Sequence, residues 1–210
     1  MNQKNGKNSL GIDISFGELS NPIELFNLWY KKAIGTEIND PNALALATSD
    51  ASNQPSVRMV LLKGVSDKGF VFYTNLTSKK SDELKKNQKA SMCFHWKSLR
   101  RQVRISGQVE TVSDDEADKY FNSRPYKNRI GAWASDQSKV LDKRESFLEK
   151  IKQFEKKFPE NQKVPRPPHW SGWRLKPMTI EFWLDGEGRI HERLNYTKKN
   201  NIWVKNLLYP

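Results

Sequence analysis

Cysteine and histidine are scarce in this sequence, which excludes several kinds of site. Among 210 residues the only cysteine is Cys93, so no disulfide can form within the chain and a reducing compartment is expected. Cys93 lies in an apolar run, where a buried inert thiol is more common than a nucleophile. The three histidines, at positions 95, 169 and 191, do not have the spacing of metal ligands, so we expect no metal site.

Long apolar segments are also missing. The N-terminus is polar and lacks the apolar core of a secretory signal. No apolar run reaches the length that is needed to span a membrane. We therefore expect a cytoplasmic protein.

Positive charge is what the sequence has in excess. Lysine and arginine number 36 against 24 aspartates and glutamates, which gives a formal net charge of +12. Charge of this kind favours an anionic partner, and alone it does not separate nucleic acid, acidic lipid and phosphorylated small molecules. The first 20 residues, rich in Asn, Lys, Gly and Ser, are predicted to form a flexible arm, followed by a single domain over residues 21–210.

Residues 21–210 alternate between strand and helix patterns. Apolar and β-branched runs bounded by Gly, Asp and Asn predict strands at 43–48, 57–63, 70–74, 90–96, 102–112, 179–184, 189–193 and 203–204. Helical spacing and capping residues predict helices at 22–34, 81–87, 113–122, 127–134 and 138–158. Gly107 is a predicted bulge or close-approach point within its strand. These elements indicate an α+β protein built on a barrel or a strongly curved sheet.

Cations are concentrated near residue 60. The segment 58–63 (Arg-Met-Val-Leu-Leu-Lys) precedes a turn, and the next strand ends at 73–74 (Tyr-Thr), shortly before Lys79 and Lys80. We predict that these two strands pair and bring the four cations to one edge of the sheet, where they would favour an anion. Arg58 and Lys63 face opposite sides of a regular strand, and both could instead reach water from the ends of a buried strand.

Other polar groups admit two interpretations each. In 189–193 (Arg-Ile-His-Glu-Arg) a strand would place the three basic residues on one face, as an anion site or as a solvated edge. Tyr120 and Arg124 share a helix face and could bind phosphate, although such a tyrosine is more often core. Ser138, after Gln137, marks either an anion site at a helix start or a plain N-cap. Trp183 could stack on a flat heterocycle or pack in the core.

Taken together, these segments resemble the pyridoxamine 5′-phosphate oxidase family. The resemblance runs from about residue 22 to 210 and rests on the order and spacing of the segments 58–63, 72–75, 78–80, 101–103, 120–125, 130–132, 137–138, 180–183 and 189–193. It implies an antiparallel, Greek-key-like, FMN-binding split β-barrel with peripheral helices, and a homodimer with two FMN sites at the subunit interface. The implied reaction converts pyridoxamine or pyridoxine 5′-phosphate and O₂ to pyridoxal 5′-phosphate and H₂O₂, with ammonia from the amine.

The resemblance also assigns roles to individual residues. The residues implied for FMN are Arg58, Met59, Val60, Leu61, Leu62, Lys63, Tyr73, Thr74, Lys79, Lys80, Gln102, Gln137, Ser138, Trp183 and Arg193. Those implied for the substrate are Lys63, Tyr120, Arg124, Asn128, Arg189 and His191. Arg189 and His191, against the pyridine ring, are the catalytic candidates, either as orienting groups or in proton transfer. Each phosphate, with a charge of roughly −2, requires two or three cationic or hydroxyl donors.

The sequence departs from the family pattern at three places. Asn128 stands where relatives often have Ser, and Lys79 stands where many have Arg, which keeps the charge but loses bidentate geometry. Residues 1–21 contain no Arg-x-x-Tyr segment of the kind that covers the substrate in relatives.

Two other functions compete with the oxidase. A flavin-binding barrel without oxidase activity would be favoured by loss of Arg124, Arg189 or His191, and all three are present. A nucleic-acid-binding module needs aromatic and basic residues on one sheet face. The aromatic residues here are predicted to lie in the core, and the cations occur in small groups that suit single phosphates.

Overall fold

A single antiparallel sheet organises the computed structural model, which describes residues 6–210. Its strands are β1 (Ala43–Ser49), β2 (Pro55–Leu61), β3 (Gly64–Ser66), β4 (Gly69–Asn75), β5 (Lys89–Trp96), β6 (Arg101–Thr111), β7 (Trp170–Leu184), β8 (Glu192–Lys199) and β9 (Ile202–Leu208). The helices are α1 (Pro22–Ile34), α2 (Lys79–Lys86), α3 (Asp114–Ser123), α4 (Tyr126–Ala134) and α5 (Arg144–Lys157). The strand order is β2-β1-β5-β6-β7-β4-β3, and β8 and β9 extend from β7.

Strand β7 connects the parts of the sheet. One of its edges pairs with β6, while the other pairs first with β4 and then with β8. The register of β6 shifts between Ser106 and Gly107, where a Cβ on Gly107 would lie 2.0 Å from the carbonyl oxygen of Lys176. Only glycine fits this close approach, which confirms the prediction for Gly107.

The length of β7 separates the two ends of the sheet. Trp170 begins the strand and Trp183 lies 13 residues later. At about 3.3 Å per residue, the path between them along the strand is roughly 40 Å. Side chains beside Trp170 and side chains beside Trp183 therefore belong to different regions of one subunit.

The core lies between the sheet and α1. Asn21 caps this helix by accepting a hydrogen bond from the backbone of Ile23, as the sequence predicted. The fully buried ring of Phe26 packs against Phe70 and Phe94, with ring centroids 4.9 and 5.1 Å away. Burial of one such ring stabilises the fold by about 2 kcal/mol. Rings buried in this way are unavailable as a stacking surface for nucleic acid.

The predicted hairpin of strands 57–63 and 70–74 is wrong. Strand β2 pairs with β1 over its whole length, from Pro55 opposite Ser49 to Leu61 opposite Ala43. The partner of β4 on this side is the three-residue strand β3. The physical reason is that β1 offers seven residues of continuous register, whereas the backbone turns after Leu61 and leaves only a short ladder beside β4.

Three other predicted elements have different bounds. Strand β7 begins at Trp170, well before residue 179. Helix α5 begins at Arg144, because Ser138 has a left-handed φ of 72° and does not start a helix. Strand β8 begins at Glu192, because a 3-10 turn (Glu187–Arg189) occupies the start of the predicted strand 189–193. Arg189 therefore precedes the strand and does not share a strand face with His191 and Arg193, contrary to the prediction.

The N-terminal segment is packed over residues 6–20, where the sequence predicted a flexible arm. Phe16 is fully buried, and the indole of Trp29 donates to the carbonyl of Ser15 at 2.7 Å. Glu192 pairs with Lys7 and accepts a hydrogen bond from the backbone of Asp13. The prediction is corrected for residues 6–20, and residues 1–5 lie outside the described residues. The division at residue 21 stays a prediction.

None of the helices within residues 6–210 combines the length and the apolar character that a membrane crossing requires.

Candidate active site

A cavity of about 580 Å³ opens beside the first residue of β7. The end of β2, the end of β4 and helices α3 and α4 form its walls. The structure brings together here the predicted residues Met59, Val60, Leu61, Lys63, Tyr73, Thr74, Lys80, Tyr120, Arg124, Asn128 and Gln137. Residues that are far apart in the sequence, from Met59 to Gln137, thus share one cavity.

Lys80 is a buried cation whose hydrogen bonds go to neutral oxygens. Its Nζ donates to Gln137 Oε1 at 2.8 Å, and to the hydroxyls of Thr74 and Ser78 at 3.1 Å each. Burial, followed by the nearby charge of Arg58, lowers the pKa of Lys80 to about 8. A buried ammonium group with only neutral ligands is stabilised by an anion, so this end of the cavity is suited to one.

The turn between β4 and α2 fixes the position of Lys80. Asn75 ends β4, and its side chain accepts from the backbone of Thr77 at 2.7 Å. Its carbonyl accepts the hydroxyls of Ser78 and Ser81 at 2.7 and 2.9 Å. Its amide donates to the carbonyl of Ser135 at 3.0 Å, which ties the loop that carries Gln137 to the same turn. The sequence pattern alone did not single out Asn75.

Arg124 is a second cation at this cavity. It follows α3, and its guanidinium lies 4.8 Å from the ring centroid of Trp170. Its Nη1 is buried and has no hydrogen-bond partner among residues 6–210. Burial lowers the pKa of this guanidinium from its usual value. An unsatisfied donor on a partly desolvated cation favours an anionic or carbonyl ligand.

An aromatic wall made by Tyr73, Tyr120 and Trp170 supports Arg124. The ring of Tyr73 stacks on Tyr120 at 4.0 Å and on Trp170 at 5.3 Å, with interplanar angles of 17° and 8°. Burial raises the pKa of Tyr73 to about 12, so its hydroxyl is neutral at physiological pH. Trp170 was not among the predicted site residues, because the predicted strand began only at residue 179.

Exposed groups complete the cavity wall. Lys63 and Asn128, which the family resemblance implies for the substrate, line it, and both are exposed. Lys127 lines it as well and is an addition. Its position next to Asn128 in α4 is the sequence signal that could have identified it.

Arg58 and Lys79 lie outside the lining of this cavity and face Glu83. The guanidinium of Arg58 binds the hydroxyls of Thr48 and Ser56 at 2.5 and 2.7 Å and lies 3.2 Å from Glu83 Oε2. Lys79, more than half exposed, lies 3.2 Å from Glu83 Oε1. Ser138 and Lys79 line a separate pocket of about 320 Å³. The side chain of Leu62 belongs to the core.

A second cluster of predicted residues lies at the other end of β7. Gln102 stands opposite Trp183, which in turn stands opposite Arg193. The ring of His191 lies 4.6 Å from the ring of Trp183. Arg189 is exposed nearby, with a left-handed φ of 64°. The lining of the 580 Å³ cavity includes none of these five residues.

The turn before β8 orients His191. Its Nδ1 lies 3.1 Å from Asp185 Oδ1 and 3.2 Å from the backbone nitrogen of Gly186. Hydrogen bonding from Arg100 lowers the pKa of Asp185, so this carboxylate is charged at neutral pH. A Cβ on Gly186 would lie 1.9 Å from the carbonyl oxygen of Ile190, which restricts the position to glycine.

Arg193 is fixed by groups of its own sheet. Its Nε lies 2.8 Å from Glu181 Oε1, and its Nη1 donates to the carbonyl of Tyr209 at 2.8 Å. One subunit therefore displays two separate groups of predicted site residues, one in the cavity and one at the far end of β7.

Comparisons with known proteins place this architecture in a class and then in a family. The fold matches PhzG from Burkholderia lata 383, solved with tetrahydrophenazine-1-carboxylic acid, with a TM-score of 0.88 and 31% identity over 98% of this chain and all of that one. A pyridoxamine 5′-phosphate oxidase-related, FMN-binding protein from Nostoc punctiforme shares the fold, with a TM-score of 0.73 at 16% identity over 90% and 98% of the two chains. The protein is thus a split β-barrel of the flavin-binding class, as the resemblance implied.

The sequence comparisons identify the family. Residues 30–158 match the family described as pyridoxamine 5′-phosphate oxidase, and residues 170–210 match the pyridoxine 5′-phosphate oxidase C-terminal dimerisation region. The pyridoxine/pyridoxamine 5′-phosphate oxidase of Pelagibacter ubique is 60% identical over 98% of this chain and all of its own length. That of Agrobacterium fabrum is 51% identical over 93% and 95% of the two chains. The chain belongs to the pyridoxine/pyridoxamine 5′-phosphate oxidase family.

Family membership has two direct consequences. It supports the oxidoreductase class and implies a flavin cofactor. The dimerisation region supports the predicted homodimer, and it contains Trp183, Arg189, His191 and Arg193. Four of the five residues of the second cluster, all except Gln102, therefore lie in the dimerisation region.

Proposed function

We propose that this protein oxidises pyridoxamine and pyridoxine 5′-phosphate to pyridoxal 5′-phosphate, with FMN as its flavin, O₂ as acceptor and H₂O₂ as product, in the cytoplasm. The observation that carries the proposal is the pair of cations at one cavity, Lys80 and Arg124, neither of which hydrogen-bonds to a carboxylate within residues 6–210. The reaction brings two phosphate groups into one site, one from the cofactor and one from the substrate. Two separate cations of this kind suit that pair.

Lys80 is the residue that fits the FMN phosphate best. It is buried and already held by Thr74, Ser78 and Gln137, so little side-chain entropy is lost when an anion binds. It also lies in the first turn of α2, where the helix dipole favours negative charge. Lys79 and Ser138 at the neighbouring pocket would extend this site.

The two-electron transfer from the substrate carbon to O₂ is chemistry that bound FMN supplies. The residues of this chain bind and orient the substrate. Arg124, with Lys63, Tyr120 and Asn128, would bind the substrate phosphate, and the guanidinium lies 4.8 Å from the ring centroid of Trp170 in the aromatic wall. Fixing the phosphate limits the positions that the pyridine ring can take, which is the main contribution of such binding to the rate.

The remaining groups would come from the partner subunit. Trp183, His191 and Arg189 lie far along β7 from the cavity of their own chain, and they belong to the dimerisation region. In a homodimer with two-fold symmetry, each subunit contributes the same surface to the interface. Arg189 and His191 would then lie against the pyridine ring, while Gln102 and Arg193 would stabilise negative charge on the flavin.

Purified protein and an oxygen electrode test the proposed function. We expect yellow protein that releases FMN on denaturation and consumes O₂ with pyridoxamine 5′-phosphate. The dephosphorylated amine should be a much poorer substrate, because it cannot engage Arg124. Colourless protein that also fails to bind added FMN, or equal rates with both amines, would contradict the proposal.

FMN binding should weaken as the pH rises above about 8. Because burial lowers the pKa of Lys80 to about 8 in the free protein, its charge is present below that pH and lost above it. The phosphate stays a dianion above pH ~6, so the Kd for FMN should rise about tenfold per pH unit between 8 and 9.5. Quenching of flavin fluorescence measures the Kd. An unchanged Kd over this range would mean that Lys80 does not bind the phosphate.

Arg189→Ala should reduce turnover by about 100-fold while the FMN content stays within about twofold of wild type. The reason is that Arg189 is exposed in a turn and would contact only the substrate. Steady-state rates and the absorbance of bound flavin give the two quantities. Lys199→Ala, an exposed cation at the end of β8, is the control and should change neither. Equal losses of flavin and rate would assign Arg189 a structural role.

A further inference from the structure

We propose that Glu83, a buried carboxylate beside the proposed FMN phosphate site, is a positioning residue that holds the phosphate-binding cations in place and balances their charge. The proposal rests on the assignment of that site to FMN. It adds an acidic residue to a site whose assigned members are otherwise cationic, neutral polar or apolar. Glu83 itself would not contact the phosphate.

Hydrogen bonds surround the carboxylate of Glu83, whose side chain is only 3% exposed. The hydroxyl of Ser56 donates to both carboxylate oxygens at 2.8 Å, and the hydroxyl of Thr48 donates to Oε2. Arg58 and Lys79 reach the same carboxylate at 3.2 Å each. A buried acid with this many donors is a built feature of the fold rather than a surface charge.

These contacts join three elements of the site. Ser56 and Arg58 lie on β2, Thr48 on β1, and Glu83 on α2. The hydroxyls of Thr48 and Ser56 each donate to Glu83 and accept from Arg58. They therefore connect the carboxylate on α2 with the guanidinium on β2. Glu83 therefore fixes α2, which carries Lys79 and Lys80, against the strands that carry Arg58.

The charges around Glu83 match those of a phosphate monoester. Arg58, Lys79 and Lys80 contribute three positive charges, and Glu83 contributes one negative charge, which leaves two positive charges against the roughly −2 of a phosphate dianion. The charged groups that act on Lys80 are Arg58 on β2, which opposes its protonation, and Glu83 on α2, which favours it. Its hydrogen-bond partners are all neutral.

Charge alone would also allow Glu83 to compete with phosphate for the cations, and this role predicts the opposite change in FMN affinity. An acid that occupied the cations in competition with phosphate would weaken binding, and its removal would strengthen binding. The geometry opposes this view. Glu83 is held by two hydroxyls as well as by Arg58 and Lys79, whereas Lys80, which lines the cavity, donates to other groups.

The test compares Glu83→Gln with Glu24→Gln, the same loss of charge at an exposed acid in the first turn of α1. Titration of the apoprotein with FMN, followed by flavin fluorescence from pH 6.5 to 9.5, gives the Kd and the pH above which binding weakens. For Glu83→Gln we expect a Kd about tenfold higher at pH 7 and a midpoint about one pH unit lower, because Lys80 loses the charge that favours its protonation. Glu24→Gln should keep both the wild-type midpoint and the wild-type Kd.

Each result separates this inference from the proposed function. If the wild-type protein binds FMN and Glu83→Gln binds it equally or more tightly with an unchanged midpoint, the positioning role is overturned. If the wild-type protein does not bind FMN, the proposed function fails first. Should Glu83→Gln not fold, Ser56→Ala removes one donor to both Glu83 and Arg58. It should raise the Kd about threefold, and an unchanged Kd would overturn the inference.

Discussion

Replacement of Lys80 by methionine is expected to weaken FMN binding by at least about 100-fold without destabilising the apoprotein. A buried cation paired with an anionic ligand is worth ~2–5 kcal/mol when one partner is truncated. In the free protein the same charge is unfavourable, because burial lowers the pKa of Lys80 from 10.5 to about 8. The folded-state pKa lies below the unfolded one, so the charge costs about 3 kcal/mol of stability near pH 7 and nothing once the pH exceeds both values.

Two measurements on the Lys80→Met variant check this expectation. Flavin titration should give the large loss of affinity, and thermal unfolding of the apoprotein should give a Tm equal to or above that of wild type. Lys85→Ala is the matched control, because Lys85 is an exposed cation in the last turn of the same helix and lines neither the cavity nor the neighbouring pocket. Wild-type affinity for FMN in Lys80→Met would move the phosphate site elsewhere in the molecule.

Arg124→Ala is expected to raise the KM for pyridoxamine 5′-phosphate by about 30-fold or more, with little change in FMN affinity. The guanidinium is partly desolvated on Trp170, and its buried Nη1 has no partner within residues 6–210, so a substrate phosphate would gain a strong charge-assisted contact. Its loss should cost ~2–5 kcal/mol of binding. Steady-state kinetics with the phosphorylated and dephosphorylated amines measures the effect.

The dephosphorylated amine distinguishes the binding role from a structural one. Without a phosphate, that substrate makes no contact with Arg124, so the variant and the wild type should oxidise it at similar rates. Lys119→Ala, an exposed cation on the same helix α3, should leave both substrates unaffected. A KM for pyridoxamine 5′-phosphate that does not change in Arg124→Ala would remove this residue from the substrate site.

Local patterns in the sequence predicted the parts of the site that depend on short-range structure. The helix that the Ser113 cap starts ends at Ser123, and both Tyr120 in its last turn and Arg124 directly after it line the cavity. Lys80 and Thr74 are six residues apart, and the turn between β4 and α2 brings them to 3.1 Å. Spacings of this size leave few conformations open.

Long-range pairing was the part that sequence patterns did not determine. The contact between Gln137 and Lys80 spans 57 residues, and it depends on how the loop after α4 folds back. Trp170 reaches the cavity because β7 begins nine residues before the predicted strand. The wrong hairpin has the same origin, since β2 has apolar alternation that suits either neighbour and the longer ladder with β1 prevails.

The resemblance to the family supplied what neither local pattern nor single-chain geometry contains. By residue type alone, Arg189, His191 and Arg193 fitted a solvated edge as well as a binding site. The structure shows them beside Trp183, far along β7 from the cavity, in the dimerisation region. Their proposed role therefore requires a partner subunit.

Complementation between two inactive variants tests most directly whether each site is shared between subunits. Lys80→Met removes a cation of the cavity, and Arg189→Ala removes a guanidinium at the far end of β7. Both sites of either homodimer should therefore be inactive. In a mixed dimer one site would combine the intact Lys80 of one subunit with the intact Arg189 of the other. Random mixing by co-expression should then restore about a quarter of wild-type turnover, since half of the dimers are mixed and half of their sites are intact. Turnover no higher than that of either variant alone would contradict a site built from two subunits.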